Sequence, residues 1–300
     1  MSIETSKMSR RGALLGVATL GAVTAFAARA ANGPALSATI SAADARAPIS
    51  PFLYGGFLEH IGDLINHSLW SEVLDDRKFY WPVNAEPVPA PPGAGGGPMR
   101  TVSNKWHPTG ADATVSMDTR APYAGAHSPV VHLSGAAPLG IGQSALVLAR
   151  KAYTGRVVIA ADPGVTVSAT LIWGTGPDER QSVNVPVSGG WSTAPLKFAC
   201  GADTKDGRIE ITGTGAGTFR VGAVSLMPAD HIGGFRADMI ALMREMDCHL
   251  IRMPGGNFIS AYDWQNTIGD PDKRPPIMDP VWHAVQPNDV GSTNCCTWPA

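Results

Sequence analysis

Arg252-Met253-Pro254-Gly255-Gly256-Asn257 is the stretch on which the reading of this 300-residue chain turns, with Tyr262 and Trp264 close behind it. The short apolar run before it, His249 to Ile251, reads as a buried strand of a parallel sheet. Upstream lies a helical pattern, with Phe235, Met239, Leu242, Met243 and Met246 on one face and Arg236, Asp238, Arg244 and Glu245 on the other. The order is helix, strand, then a sharp polar turn. Pro254 disfavours helical backbone at Met253, and the paired glycines allow a tight turn and close approach to a ligand. Arg252 and Asn257 thus stand at the carboxyl end of a strand, where α/β barrels and open α/β sheets place their ligand sites.

The N-terminus reads as targeting sequence. Arg10-Arg11 precedes an uncharged apolar run from Gly12 to Ala28, and Ala28-Arg29-Ala30 offers small residues for cleavage. Residues 1–30 are therefore expected to be a bacterial export signal of the twin-arginine type, which places the product in the periplasm or outside the cell. The run is too short and too rich in Gly and Ala for a stable span; a retained anchor is the other reading.

About 270 residues remain, enough for one large domain or two ordinary ones. Net charge is −2 with no block of like charge, which argues against nucleic acid or an acidic membrane as the main partner. Only 16% of residues are charged, while 34 glycines and 25 prolines make the chain loop-rich. Four cysteines in this length are not a small-protein disulfide framework. Cys200 and Cys248 are either buried thiols or a pair, and the adjacent Cys295-Cys296 fits no common zinc spacing. Neither a metal nor a cofactor is expected.

A strand is expected near Leu36 to Ile40 and a second over Pro51 to Phe57, interrupted by Gly55-Gly56. Leu58-Glu59-His60-Ile61-Gly62 follows at once. Glu59 thus stands like Asn257, a polar group just past an apolar strand, able to accept from sugar hydroxyls or to act in acid–base chemistry. Leu69 to Leu74 reads as a helix. Asp75-Asp76-Arg77-Lys78 reads as a solvated loop with weak local ion pairing. His60 and His67 read as structural.

From Asn84 the composition changes. Pro87 to Pro98 holds five prolines and four glycines, so residues 84–105 read as a linker. Residues 106–228 read as an all-β sandwich, with strands at Val130–Leu133, Gln143–Leu148, Arg156–Ala160, Val165–Trp173, Arg208–Thr212 and Thr218–Leu226. Turn residues punctuate them about every ten positions. Trp173 and Trp191 are sugar-stacking platforms or core. Asp203 and Asp206 with Gly207 form an Asx-type turn rather than a calcium loop. With residues 36–83 and 229–291 supplying strand and helix on either side, the expected fold is a partial α/β barrel of the TIM type. It carries an inserted β-sandwich resembling a carbohydrate module.

Taken together, three runs resemble the family 51 glycoside hydrolases, the α-L-arabinofuranosidases. They are Gly55-Gly56-Phe57-Leu58-Glu59-His60-Ile61-Gly62, Glu72 to Phe79, and Arg252 to Phe258. Tyr262-Asp263-Trp264, Ile268-Gly269-Asp270, Arg274-Pro275, Trp282 and Asn288-Asp289-Val290-Gly291 follow in the family's order. The resemblance implies a retaining, exo-acting hydrolase on an eight-fold barrel, releasing terminal L-arabinofuranose from arabinoxylan, arabinan and related plant polysaccharides without a cofactor. It further implies that Glu59 and Asn257 bind arabinose hydroxyls and that Arg252 organises the pocket.

The family's two catalytic glutamates follow the Asn-x-x-Gly segment, one of them in an Asn-Glu pair. No Asn-Glu pair occurs here, so both are expected beyond residue 300. Residues 292–300, Ser292 to Ala300, carry no apolar period and read as an atypical, frameshifted tail. A barrel needs about 250 residues and roughly 100 are offered outside the insert, so little hydrolysis is expected from this chain. The alternatives are an exported carbohydrate-binding protein and a non-functional fragment.

Overall fold

The computed structural model describes residues 38–39, 43, 47–61, 64–85, 105–247 and 249–291. The chain divides into two compact units, 1–49 and 50–300, and every element below belongs to the second. The expected export signal, most of the strand at Leu36–Ile40, most of the Pro/Gly-rich linker and the tail from Ser292 lie outside the described residues. Among those described, no helix is long and apolar enough to cross a membrane.

The body is a β-sandwich of eight antiparallel strands: β2 (Trp106–Pro108), β3 (Val115–Asp118), β4 (Ser128–Leu148), β5 (Ala152–Ala161), β6 (Thr166–Ile172), β7 (Arg180–Val185), β8 (Ser192–Ala199) and β9 (Thr204–Pro228). Two of them are long and serve both layers. The first half of β4 pairs with β3 and with the second half of β9, which continues to β5 and β8. The second half of β4 pairs with β2 and with the first half of β9, which continues to β6 and β7. The corner falls where Gly135 faces Gly215 and the register shifts before Leu139. Both glycines have positive φ, 137° and 115°, a conformation that side chains with a Cβ rarely adopt. Folding the ladder there brings the inner faces together over one core of Val131, Ile141, Val157, Leu171, Leu196, Ile211 and Phe219.

Period-two alternation explains the strands. In β8 the buried Ala194, Leu196 and Phe198 alternate with exposed Thr193, Pro195 and Lys197. Pro195 is tolerable because β8 pairs on one side only, with β5. Five of the six expected strand runs fall within β4, β5 and β9, and the sixth, Val165–Trp173, overruns β6 by one residue at each end. The short or polar strands β2, β3, β7 and β8 escaped the sequence pattern. Trp173 packs against the core, whereas Trp191 lies outside it, beneath the Arg220 guanidinium at 4.9 Å and edge-on to Tyr123. Cys200 is a free buried thiol that donates to the Ala202 carbonyl at 3.1 Å; Cys248 lies outside the described residues.

Outside the sandwich several expectations need correction. Of the strand expected over Pro51–Phe57, only Gly55 and the paired strand β1 (Gly56–Phe57) are extended; Pro51–Tyr54 form a 3-10 turn capped by Ser50. The strand expected at His249–Ile251 is β10 (Ile251–Arg252). Helix α1 spans Ala237–Glu245, but Leu242 and Met246 of its apolar face are exposed. Leu69–Leu74 is not a helix. A π-helical turn at Leu64–Leu69 precedes it, and the chain then runs extended beside β9, with Val73 N–H donating to Leu226 O and Val224 N–H to Arg77 O. Leu74, Phe79 and Val83 thereby join the sandwich core. A further pair, β11 (Ile277–Met278) and β12 (Val285–Gln286), forms an antiparallel hairpin. The described residues contain one parallel pair of strands, β1 with β10, and no closed barrel.

The largest correction concerns Asp75 to Lys78. Arg77 and Lys78 are 2% and 1% exposed, at the centre of a charged network rather than in solvent. Arg77 donates to both oxygens of Asp289 and, through Nη1, to Asp272 at 2.7 Å. Lys78 reaches Asp289 at 2.9 Å and the carbonyls of Pro271 and Pro287. Arg156 of β5 binds Asp272 through two nitrogens. Glu72 accepts from Ser225 Oγ and Leu226 N–H on β9. Burial pushes the Glu72 carboxyl up and lowers Lys78 to about 8. Burial also raises Asp272, but Arg156 and Arg77 outweigh it and hold it at about 2. Only such complete pairing makes buried charge tolerable. The network ties segment 72–78 and the sandwich to residues 270–289.

Candidate functional site

Strands β1 and β10 pair in parallel, with Gly56 opposite Ile251 and Phe57 opposite Arg252. Their pairing continues through Leu58 N–H to Arg252 O at 3.0 Å and Gly255 N–H to Leu58 O at 2.8 Å. Both strands therefore end at one edge, which places Glu59 beside the Pro-Gly-Gly-Asn turn. Contact there is too close for a side chain. A Cβ on Gly255 would stand 2.5 Å from the Phe57 ring, and one on Gly256 would stand 1.9 Å from Glu59 Oε2. Gly256 also has φ 61°. The two glycines let the turn close over the carboxylate.

Glu59 is 8% exposed. Its Oε1 accepts from Phe258 N–H at 2.9 Å and from the Trp282 indole N–H at 3.0 Å. Asp279 sets Trp282 in place by accepting from the backbone N–H groups of Val281 and Trp282 at 2.6 and 3.0 Å. His60 stacks on Phe258 at 4.4 Å, and its Nε2 lies 3.3 Å from Val290 O. Burial lowers its pKa to about 4, so the ring is neutral at neutral pH. A carbonyl can only accept, so Nε2 carries the proton and Nδ1 is left bare. Nδ1 and Asp279 Oδ2 are both buried without a partner among the described residues.

Asn257 is exposed and directly precedes Phe258, whose N–H holds Glu59. Arg252 is exposed too, with its guanidinium 5.1 Å from the Phe57 ring centre. The structure thus gathers Glu59 and the Asn257 turn, and sets Arg252 on the outer side of the strand pair. Sequence reasoning missed the parts of Trp282 and Asp279. Trp282 lies 223 positions from Glu59, and nothing local in the sequence marks it as a partner.

The arrangement is that of an acceptor site. Protein donors hold Oε1, and Oε2 remains to accept from a hydroxyl. Retaining glycoside hydrolysis needs two carboxyl groups about 5 Å apart. The other described glutamates stand elsewhere: Glu72 in the Arg77 network, Glu179 and Glu210 on the sandwich, and Glu245 on α1. Among the described residues no group of three His, Cys, Asp or Glu could hold a metal ion.

Residues 242–300, which carry most of this site, match the alpha-L-arabinofuranosidase 1 domain. Over 65 residues the chain is 42% identical to the intracellular exo-alpha-(1->5)-L-arabinofuranosidase of Acetivibrio thermocellus, covering 22% of this chain and 13% of that enzyme. Over 143 residues it is 27% identical to the intracellular exo-alpha-(1->5)-L-arabinofuranosidase of Bifidobacterium longum, covering 41% and 25%. These stretches span between an eighth and a quarter of those relatives' length. The sequence around the site is thus similar to that of arabinofuranosidases, a class of glycosidases. Among solved structures, the C-terminal family 22 carbohydrate binding module of Clostridium thermocellum Xyn10B is 15% identical with a TM-score of 0.35. That likeness covers 53% of this chain and 99% of that module.

Proposed function

We propose that this chain is the front part of a family 51 α-L-arabinofuranosidase, a retaining, exo-acting enzyme that removes terminal L-arabinofuranose from arabinoxylan and arabinan. The observation that carries the reading is the Glu59 carboxylate, enclosed by the Pro-Gly-Gly-Asn turn and by Trp282 at the shared end of two parallel strands. Such a buried, donor-held carboxylate suits a sugar hydroxyl, which donates to Oε2 in a geometry the protein has already fixed. In this reading β1 and β10 are neighbouring strands of the α/β barrel. The exposed Phe52, Leu53, Tyr54, Phe57 and Leu250 around them favour further packing against such a body. The acid/base and nucleophile glutamates lie beyond residue 300 in this proposal, and residues 1–30 direct export.

The corresponding activity is binding without turnover. A non-hydrolysable arabinofuranoside should perturb the Trp282 indole signal of the 300-residue chain, and Glu59→Gln should abolish that response. Turnover of an aryl α-L-arabinofuranoside by the pure chain, lost in Glu59→Ala, would overturn the placement of the catalytic pair. The second reading, an exported carbohydrate-binding protein, is favoured by the sandwich, whose core is the larger of the two among the described residues. Retention on insoluble arabinoxylan without sugar release is its signature.

A further inference from the structure

The indole N–H that holds Glu59 comes from the tip of a hairpin, and one side chain fixes that tip. Strands β11 and β12 pair only through Ile277 with Gln286 and Met278 with Val285. Residues 279–284 between them carry Trp282. Asp279 closes this turn with its backbone and its side chain together. Its N–H donates to Ala284 O and its carbonyl accepts from His283 N–H, both at 2.9 Å. Pro280 has no N–H to give, so Val281 and Trp282 supply the first amide protons after Asp279, and Oδ1 takes both at 2.6 and 3.0 Å. We propose that Asp279 is a positioning residue of the Glu59 site. By holding the Trp282 backbone it keeps the indole N–H on Glu59 Oε1 and leaves Oε2 to the sugar.

The rest of the hairpin is anchored elsewhere. Gln286 Nε2 donates to His60 O at 3.4 Å, and Gln286 Oε1 accepts from Asn66 at 3.1 Å. Those contacts hold the strands and not the tip. Trp282 is half-buried and belongs to neither hydrophobic core, so core packing does not aim its indole. A hydrogen bond needs its atoms within about 3 Å and in line, a demand that a loosened turn fails for part of the time. Glu59 Oε1 would then keep Phe258 N–H alone, and the carboxylate would have to be ordered by the ligand at a cost in affinity.

The role is geometric rather than electrostatic. Asp279 is 2% exposed, and its Oδ2 is buried without a partner among the described residues, which is a cost to the fold. Asparagine keeps the accepting Oδ1 and drops the charge. Glutamate keeps the charge and displaces the oxygen by one methylene.

That the ligand is an arabinofuranoside rests on the proposed function; that Asp279 aims Trp282 does not. The test titrates the 300-residue chain with methyl thio-α-L-arabinofuranoside and follows the indole N–H resonance that disappears in Trp282→Phe. Asp279→Ala should shift that resonance in the ligand-free chain and weaken binding roughly tenfold. Asp279→Glu should do the same, and it replaces the alanine variant if that one does not fold. Asp279→Asn should leave the resonance in place and the affinity within about twofold of wild type. In a Trp282→Phe background Asp279→Ala should cost less than about twofold further, since the two residues act as one unit. A mere turn cap would lower the melting temperature and leave resonance and affinity alone, which would overturn the proposal. Equal losses of affinity in both backgrounds, or a failure of Asp279→Asn to restore binding, would overturn it too. If wild type binds no arabinofuranoside while the resonance responds as stated, the positioning stands and the proposed function falls.

Discussion

The guanidinium of Arg77 holds both carboxylate oxygens of Asp289, 212 positions away, at 2.6 and 2.5 Å in a fully buried, two-pronged pair. Lys78 shares the same carboxylate. The pair joins the strand-like segment beside β9 to the residues that follow β12, next to Val290, whose carbonyl meets His60.

Removing the carboxylate should therefore do more damage than removing an ordinary contact. Asp289→Ala leaves two buried cations short of their counter-ion, a loss of about 3–5 kcal/mol. Urea denaturation should show it as a lower midpoint with an unchanged slope. A loss below about 1 kcal/mol, the value for a surface pair, would mean that the network is solvated.

The turn over Glu59 has no room for a methyl group. Gly256→Ala would set a Cβ 1.9 Å from the carboxylate at φ 61°. Where the backbone suits alanine such a change stabilises by about 0.4–1 kcal/mol; here it should destabilise by more than that and should weaken arabinofuranoside binding. Thermal melting and ligand titration on one sample would report both effects.

Trp282→Phe keeps an aromatic ring but deletes the indole N–H that Glu59 accepts. Loss of a hydrogen bond to a buried carboxylate costs about 1–3 kcal/mol. The variant should melt lower and bind arabinofuranoside more weakly, while the sandwich strands keep their circular dichroism.

Two buried groups give opposite pH signatures. Burial lowers His60 to about 4 from an ordinary 6.5. The unfolded chain therefore takes up the proton first, and the stability from His60, on the order of 3 kcal/mol, is full above pH 6.5 and lost as pH falls toward 4. Burial raises Asp76 to about 7 from 3.8. Its contribution is full below pH 3.8 and lost as pH rises toward 7. Because the two oppose each other, the check is a difference. Wild type minus His60→Phe should shrink on acidification between pH 6.5 and 4, and wild type minus Asp76→Asn should grow over the same interval. Parallel stability curves in either comparison would refute the corresponding assignment.

Much of the sandwich was legible because alternation is local. Val130–Leu133 or Arg208–Thr212 reveals its inward face from its own residues. The Pro-Gly-Gly-Asn turn was legible for the same reason, since its glycines are required within a few positions of where they stand. Asp75 to Lys78 misled because four consecutive charges look solvated until their partners, Asp272 and Asp289, are brought to them. Leu69–Leu74 misled because its amphipathic spacing is compatible with a helix, whereas free hydrogen-bonding groups on β9 drew it out straight.

The sequence by itself determined the runs that became β4, β5, β6 and β9, the tight turn and the placing of Glu59 and Asn257 after two apolar runs. Each depends on backbone sterics or on burial periodicity over a few residues. Only the tertiary structure decided that β1 lies parallel to β10, that Trp282 and Phe258 share Glu59 Oε1, and that Arg77 meets Asp289. Those partners are separated by roughly two hundred positions, and a hydrogen bond needs its atoms within about 3 Å in the right direction. No local pattern carries that information, so the folded chain alone supplies it.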